Sequence, residues 1–183
     1  IEEVALIIQP DMEKHFREYF NSDIPLETIE NLPSALKQEM KRLKDIGSRI
    51  TFIHQAKPRG FGDAVLLAEE WVGNEPVLVM LGDHLFRSYG EKSVSAQVTG
   101  LFQEYGDAQS VVGIYEEKLS RVKHYGTVSG EWITEDTLQL KRIVEKPTED
   151  EAETYFSVNH HGRKTWFCVN GIYVLRSAIF GIL

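Results

Sequence analysis

ITFIHQAKPRGFGDAVLLAEEWVGNEPVLVMLGD (Ile50–Asp83) is the stretch that decides how this chain folds. Its first five residues, Ile50–His54, are mostly β-branched or aromatic and predict a strand. Its last apolar run, Val77–Leu81, is uninterrupted and of strand length, the pattern of a strand buried on both faces. Between them Ala64, Leu67, Ala68 and Trp71 recur at helical spacing, with Asp63 placed to cap the helix. Strand, helix and strand in that order predict a βαβ unit and a parallel sheet. Each strand runs directly into a polar loop that carries glycine. The first is Gln55-Ala56-Lys57-Pro58-Arg59-Gly60-Phe61-Gly62 and the second is Gly82-Asp83-His84. Open α/β sheets bind ligands just past the carboxyl ends of their strands, so both loops are candidate sites.

Working outward towards the N-terminus, VALIIQ (Val4–Gln9) is another apolar run, closed by Pro10. Asp11 can cap a helix with Met12, Phe16, Tyr19 and Phe20 on one face. Pro25 and Pro33 mark a loop, and Ser34 opens a helix with Leu36, Met40 and Leu43 inward and Gly47 as its stop. In the other direction, Val94, Val98, Leu101, Phe102 and Tyr105 share a helical face that ends at Gly106. Strands are expected at Ser110–Tyr115, Tyr125–Ser129, Leu138–Val144 and Gly171–Leu175. Thr148 and Glu151 have the spacing of a capping box at the start of a short acidic helix. The whole reads as one α/β domain over residues 1–183. It is Rossmann-like, with a mostly parallel, mixed sheet, helices on both faces and a last third richer in strands.

Composition narrows the function. A chain of 183 residues can bury about 70% of its unfolded surface and needs no disulfide or metal to fold. Cys168 is its single cysteine, which excludes an internal disulfide and a zinc–cysteine cluster and favours a reducing, cytoplasmic setting. The net charge of −8 argues against duplex nucleic acid as a partner. Small anions remain open, because a few local cations and backbone N–H groups suffice for them. No apolar run reaches the roughly 20 residues of a membrane span.

Several signatures fail. Gly60-Phe61-Gly62 is followed by Val65 where a dinucleotide fingerprint needs a third small residue. Gly90-Glu91-Lys92-Ser93 lacks the upstream glycine of a phosphate-binding loop, and no G-x-S-x-G elbow is present. His160, His161 and Cys168 have no metal-ligand spacing and read as surface-loop histidines and a lone thiol.

Other residues carry more. Gln55 offers both a donor and an acceptor, enough to pair with a nucleobase edge, although a solvated Gln in a turn is the plainer reading. Gly60 lets backbone approach a flat ring or a phosphate. Asp83 ends a buried strand, where a carboxylate is costly unless solvated or paired. It suits Mg²⁺, a hard ion that takes one or two protein carboxylates, or it caps the following segment. His84 is not a preferred Mg²⁺ ligand and reads as a loop or supporting residue. Gly126 begins a strand at which backbone can approach a ligand. Glu145 and Lys146 can accept from sugar hydroxyls and donate to a phosphate, or form a solvated edge pair.

The joint order QAKPRGFGDAV, VLVMLGDHLF, YGTV, RIVEKP and VNGIYVL resembles the sugar-1-phosphate nucleotidyltransferases over nearly the whole chain. The helical insertion between the first two strands resembles most the UTP–glucose-1-phosphate uridylyltransferase branch. The resemblance implies that Gln55 and Gly60 bind the uracil base and that Asp83 binds Mg²⁺, with His84 where the branch commonly has a second acid. It implies that Gly126 and Glu145 hold the sugar, that Lys146 holds its phosphate, and that Gly171 and Tyr173 border the sugar pocket. Asp83 and Lys146 become the catalytic residues. The family's glycine-rich triphosphate loop and second metal-binding Asp are expected on segments before Ile1 and after Leu183.

The activity implied is Mg²⁺-dependent transfer of a nucleotidyl group from an NTP, UTP above all, to a sugar 1-phosphate such as glucose 1-phosphate. The partners are then those two substrates, with no nucleic acid or membrane, and a homo-oligomer is compatible with the sequence. The alternatives are other nucleotides or sugars, an inactive regulatory or binding module of the same fold, and a metal-dependent glycosyltransferase. Asp83-His84-Leu85 lacks the D-x-D motif of the last.

Overall fold

Val4–Ile8 (β1) pairs in parallel with Ile50–His54 (β2), Val4 opposite Ile50 and Ile8 opposite His54. The computed structural model describes residues 3–20, 31–105 and 109–183. The loop expected around Pro25 and the helix stop expected at Gly106 lie outside the described residues. The chain divides into two compact units, Ile1–Glu75 with Ser177–Leu183, and Pro76–Arg176.

In the first unit a 3₁₀ turn, Pro10–Met12, leads into the helix Glu13–Phe20 (α1). Phe16 lies 6.5 Å from Phe52 between ring centres, and Glu13 Oε2 is 2.6 Å from His54 Nε2, so α1 is tied to β2 at both an apolar and a polar contact. Met12 and Tyr19, expected inward, are exposed. Ser34–Gly47 (α2) follows, and a Cβ at Gly47 would stand 2.7 Å from Phe20 Cβ. Gly47 thus makes room for Phe20 as well as ending the helix. The helix expected after Asp63 forms as two pieces, Phe61–Leu66 (α3) and Glu69–Val72 (α4). Its buried residues are Val65, Ala68 and Val72, with Leu67 exposed, so the inward face is set by the break at Leu67–Ala68 and not by one continuous helical stripe.

The second unit is built around one long strand. Arg163–Leu175 (β8) hydrogen-bonds to Val77–Met80 (β3), Val111–Glu117 (β4), Gly126–Trp132 (β5) and Ser157–His160 (β7), and β5 pairs in turn with Leu138–Glu145 (β6). The α/β class with mixed pairing is as expected, but the parallel share is smaller. Among the described residues β1 and β2 are the parallel pair, and all pairs in the second unit are antiparallel. The reason is topological. Val174 of β8 lies opposite both Leu78 of β3 and Val111 of β4. The two strands joined by the helix Val94–Tyr105 (α5) therefore run parallel, but β8 enters between them and takes their hydrogen bonds.

Apolar side chains fill the space beside this strand. Val98 of α5 packs with Ile172 and Val174, while Val122, Ala152 and Cys168 form a second cluster and Val128, Val158 and Phe167 a third. The helix Glu149–Tyr155 (α6) starts with the expected capping box, Thr148 with Glu151. β7 and β8 form a hairpin whose two turn residues, His161 and Gly162, have φ 51 and 75. Positive φ at both places is the two-residue turn that matches the twist of paired strands. His160 is not a loop residue. It closes β7 and stacks on Trp132 at 4.3 Å.

Candidate active site

Gln55 continues the parallel ladder beyond β2, its backbone N–H donating to the Ile8 carbonyl at 2.9 Å. That bond fixes where its side chain begins. The amide Nε2 donates to Asp63 Oδ2 at 2.8 Å and to the Gly60 carbonyl at 3.3 Å. Both partners can only accept, so the amide nitrogen must face them and Oε1 must point the other way. Asp63 is thus not the helix cap that its position suggested. It lies in the first turn of α3, behind an N-cap at Gly60, and orients Gln55. Gly60 has φ 117, a conformation that a side chain would strain, and this turn brings its carbonyl to Gln55. Gln55 and Gly60 are therefore joined, within the first unit.

The other expected site residues belong to the second unit. Asp83 follows β3 in a turn, with its side chain 85% exposed. The Leu81 N–H donates to the Gly171 carbonyl at 2.9 Å, which carries the β3·β8 pairing to the root of this turn. His84 folds back onto β8, its Nδ1 2.7 Å from the Asn170 carbonyl and its Nε2 3.9 Å from Asp83 Oδ1. Gly171 has φ 80, and a Cβ there would run into His84 Nδ1 and stand 2.8 Å from Cε1. The glycine expected at a sugar pocket thus also seats the imidazole beside Asp83. Between the Val112–Tyr173 and Ile114–Val169 pairs β8 bulges. The Asn170 side chain fills the space that Gly113 leaves, and its Oδ1 is buried without a hydrogen-bond partner.

Gly126 and Glu145 are direct cross-strand partners in the β5·β6 register. A Cβ on Gly126 would lie 3.2 Å from Glu145 Oε2, so the carboxylate covers the bare backbone. The Tyr173 hydroxyl is held above its ordinary pKa by burial and then by the charge of Glu145, which places that carboxylate within electrostatic reach of β8. Lys146 follows in the left-handed region at φ 49, its N–H donating to the Tyr125 carbonyl at 3.1 Å and its Nζ 3.4 Å from Glu145. Gly126, Glu145, Lys146 and Tyr173 form one group.

Two residues that shape these groups escaped sequence reasoning. Asp63 carried a signal only in lying eight residues beyond Gln55, which is not specific. Asn170 lies in VNGIYVL, but nothing local tells that its carbonyl receives His84. Chemically, the first unit offers an oriented amide acceptor at Gln55, and the second offers an exposed carboxylate at a strand end and donors and acceptors beside Glu145.

A UTP–glucose-1-phosphate uridylyltransferase of Streptococcus pneumoniae is 32% identical to this chain over 185 residues, covering 99% of the chain and 57% of its own length. The uridylyltransferase YngB of Bacillus subtilis is 30% identical, over 99% of the chain and 56% of its own length. A crystal structure of a UDP-glucose pyrophosphorylase complexed with UDP-glucose superposes with a TM-score of 0.77 at 30% identity, covering 99% of this chain and 61% of that one. The chain thus spans a little over half the length of these relatives. The nucleotidyl transferase family model matches residues 6–183, which include every residue of both loops and of the Glu145 group, and the chain belongs to that family.

Proposed function

We propose that the protein carrying this chain transfers a uridylyl group from UTP to glucose 1-phosphate, releasing UDP-glucose and pyrophosphate. The observation that carries this reading is the similarity to UTP–glucose-1-phosphate uridylyltransferases along 99% of the chain. The 183 residues act as one nucleotidyltransferase domain, in the cytoplasm, on an NTP and a sugar 1-phosphate. Among the described residues no helix is long and apolar enough to cross a membrane.

Gln55 and Gly60 receive the base. With both amide hydrogens of Gln55 committed to Asp63 and Gly60, Oε1 accepts from the partner, and uracil offers an N3–H there whereas cytosine offers a lone pair. The same geometry therefore favours UTP over CTP. Gly126 and Glu145 take the sugar hydroxyls, Gly171 and Tyr173 border them, and Lys146 presents the sugar phosphate. The nucleophilic phosphate oxygen is already anionic at neutral pH, so no general base is needed. The residues instead bring two polyanions together in line.

Asp83 is the candidate ligand for Mg²⁺, and it fits one. Its carboxylate is exposed at the strand end, and such an ion usually takes only one or two protein carboxylates, with substrate phosphate and water oxygens completing the shell. Among the described residues no group of three His, Cys, Asp or Glu side chains forms a closed metal cage. An ion held by Asp83 would supply positive charge that offsets the repulsion of the two anionic substrates.

Pyrophosphate release by the full-length protein from UTP and glucose 1-phosphate tests the reading. Asp83→Asn is expected to lower kcat by far more than tenfold, a barrier increase above ~1.4 kcal/mol, at an unchanged melting temperature. Gln55→Ala is expected to raise KM for UTP and narrow the preference for UTP over CTP. A full-length protein that binds uridine nucleotides yet turns over none would favour a regulatory module of the same fold.

A further inference from the structure

We propose that His84 is a nitrogen ligand, beside Asp83, of the divalent cation in this site, so that the site favours first-row transition ions more than an all-oxygen site would. The inference rests on the proposed function, which places a cation at Asp83. It is carried by how the ring is held. His84 Nδ1 lies 2.7 Å from the Asn170 carbonyl, and a carbonyl only accepts, so Nδ1 carries the hydrogen. The neutral imidazole then bears its lone pair on Nε2. Metal-binding histidines are typically oriented this way, one ring N–H given to a carbonyl and the other nitrogen turned to the ion.

Nε2 faces Asp83 Oδ1 across 3.9 Å. The distance is too long for a hydrogen bond, and in the neutral ring both atoms carry lone pairs that an ion between them would use. Two ligands at right angles on an ion with bonds of roughly 2.1 Å stand about 3.0 Å apart, so a small rotation of the exposed Asp83 side chain brings its carboxylate and Nε2 onto one ion. Gly171 keeps the ring in place by leaving room for it, since a Cβ at that position would occupy the space of Nδ1. One carboxylate and one imidazole leave the remaining positions to phosphate and water oxygens. Imidazole adds more affinity for first-row transition ions, rising along the series from Mn²⁺ to Co²⁺ and Ni²⁺, than for Mg²⁺.

Mn²⁺ bound to the full-length protein with UTP is the probe, read by pulsed electron paramagnetic resonance for directly coordinated imidazole ¹⁴N. The wild type is expected to show that nitrogen coupling. His84→Gln is expected to keep bound Mn²⁺ but lose the coupling, and Gly171→Ala, which displaces the ring without removing it, is expected to lose it too. His84→Asp is expected to lower the ratio of Co²⁺ to Mg²⁺ affinity at least about tenfold. Bound Mn²⁺ that depends on Asp83 but shows no nitrogen coupling, or coupling that survives in His84→Gln, overturns the proposal and leaves Asp83 as the metal anchor. Mn²⁺ held as tightly by Asp83→Asn as by the wild type overturns the anchor itself, and the proposal with it.

Discussion

Lys146 sits at φ 49, where a residue with a side chain costs on the order of 1 kcal/mol more than glycine. A lysine stands there all the same, which points to the ammonium group and not to the turn as the reason for it. Lys146→Gly and Lys146→Ala separate the two. Glycine relieves the strain while alanine retains it, so the glycine variant is expected to be the more stable by up to about 1 kcal/mol in denaturant unfolding. Both are expected to raise KM for glucose 1-phosphate while leaving UTP binding near wild type, because both remove the same cation. A defect confined to UTP would remove Lys146 from the sugar phosphate. Gln55 shows the opposite economy. Nothing about it is strained, and its direction comes from Asp63, a residue placed by the first turn of α3.

At the scale of the element, α6 is held by its start. The Thr148 side chain accepts from the Glu151 N–H, and the Glu151 carboxylate accepts from the Thr148 N–H at 2.9 Å, so two helix-end donors are satisfied reciprocally. Thr148→Ala is expected to cost roughly 1 kcal/mol of unfolding free energy. The Thr148 N–H foremost, and then the Thr148 hydroxyl donating to Oε2 at 2.9 Å, hold the Glu151 carboxyl below its ordinary value of 4.5. A carboxyl lowered by folding stabilises the folded state above its unfolded pKa, and the gain is lost as pH falls through the folded value. The difference in melting temperature between Glu151→Gln and wild type is therefore expected to be present at pH 7 and to shrink below about pH 4.5. A difference constant from pH 7 to pH 3 would mean that the carboxylate is not what caps the helix. β8 teaches the complementary lesson. It starts with Arg163 and Lys164, polar and exposed, and still forms thirteen residues of strand, because four neighbouring strands supply its hydrogen bonds.

At the scale of the whole molecule, Cys168 reports on the packing of the second unit. It is the single cysteine of the sequence, fully buried between Val122 and Ala152, and burial pushes its thiol up. The thiolate is the reactive form, so labelling of Cys168 itself by a thiol reagent at neutral pH is expected to be negligible in the native protein. It is expected to rise in step with denaturant unfolding measured by tryptophan fluorescence. Labelling at native rates near those of a free thiol would mean that this core opens locally.

What the sequence determined by itself is what is encoded within a few consecutive residues. The apolar runs Val4–Ile8, Ile50–His54 and Val77–Met80 became strands, the face of Val94, Val98 and Phe102 became a packed helix side, and Thr148 with Glu151 became a cap. The order of short motifs also pointed to the family. Tertiary structure alone decided which strands pair and in which direction. An alternation of strands and helices records crossovers, but not that a strand from the end of the chain enters between β3 and β4 and makes their ladders antiparallel. It alone decided, too, that Asp63 orients Gln55 and that His84 meets Asn170 across 86 positions. A hydrogen bond depends on distance in space, and separation along the chain carries no record of it.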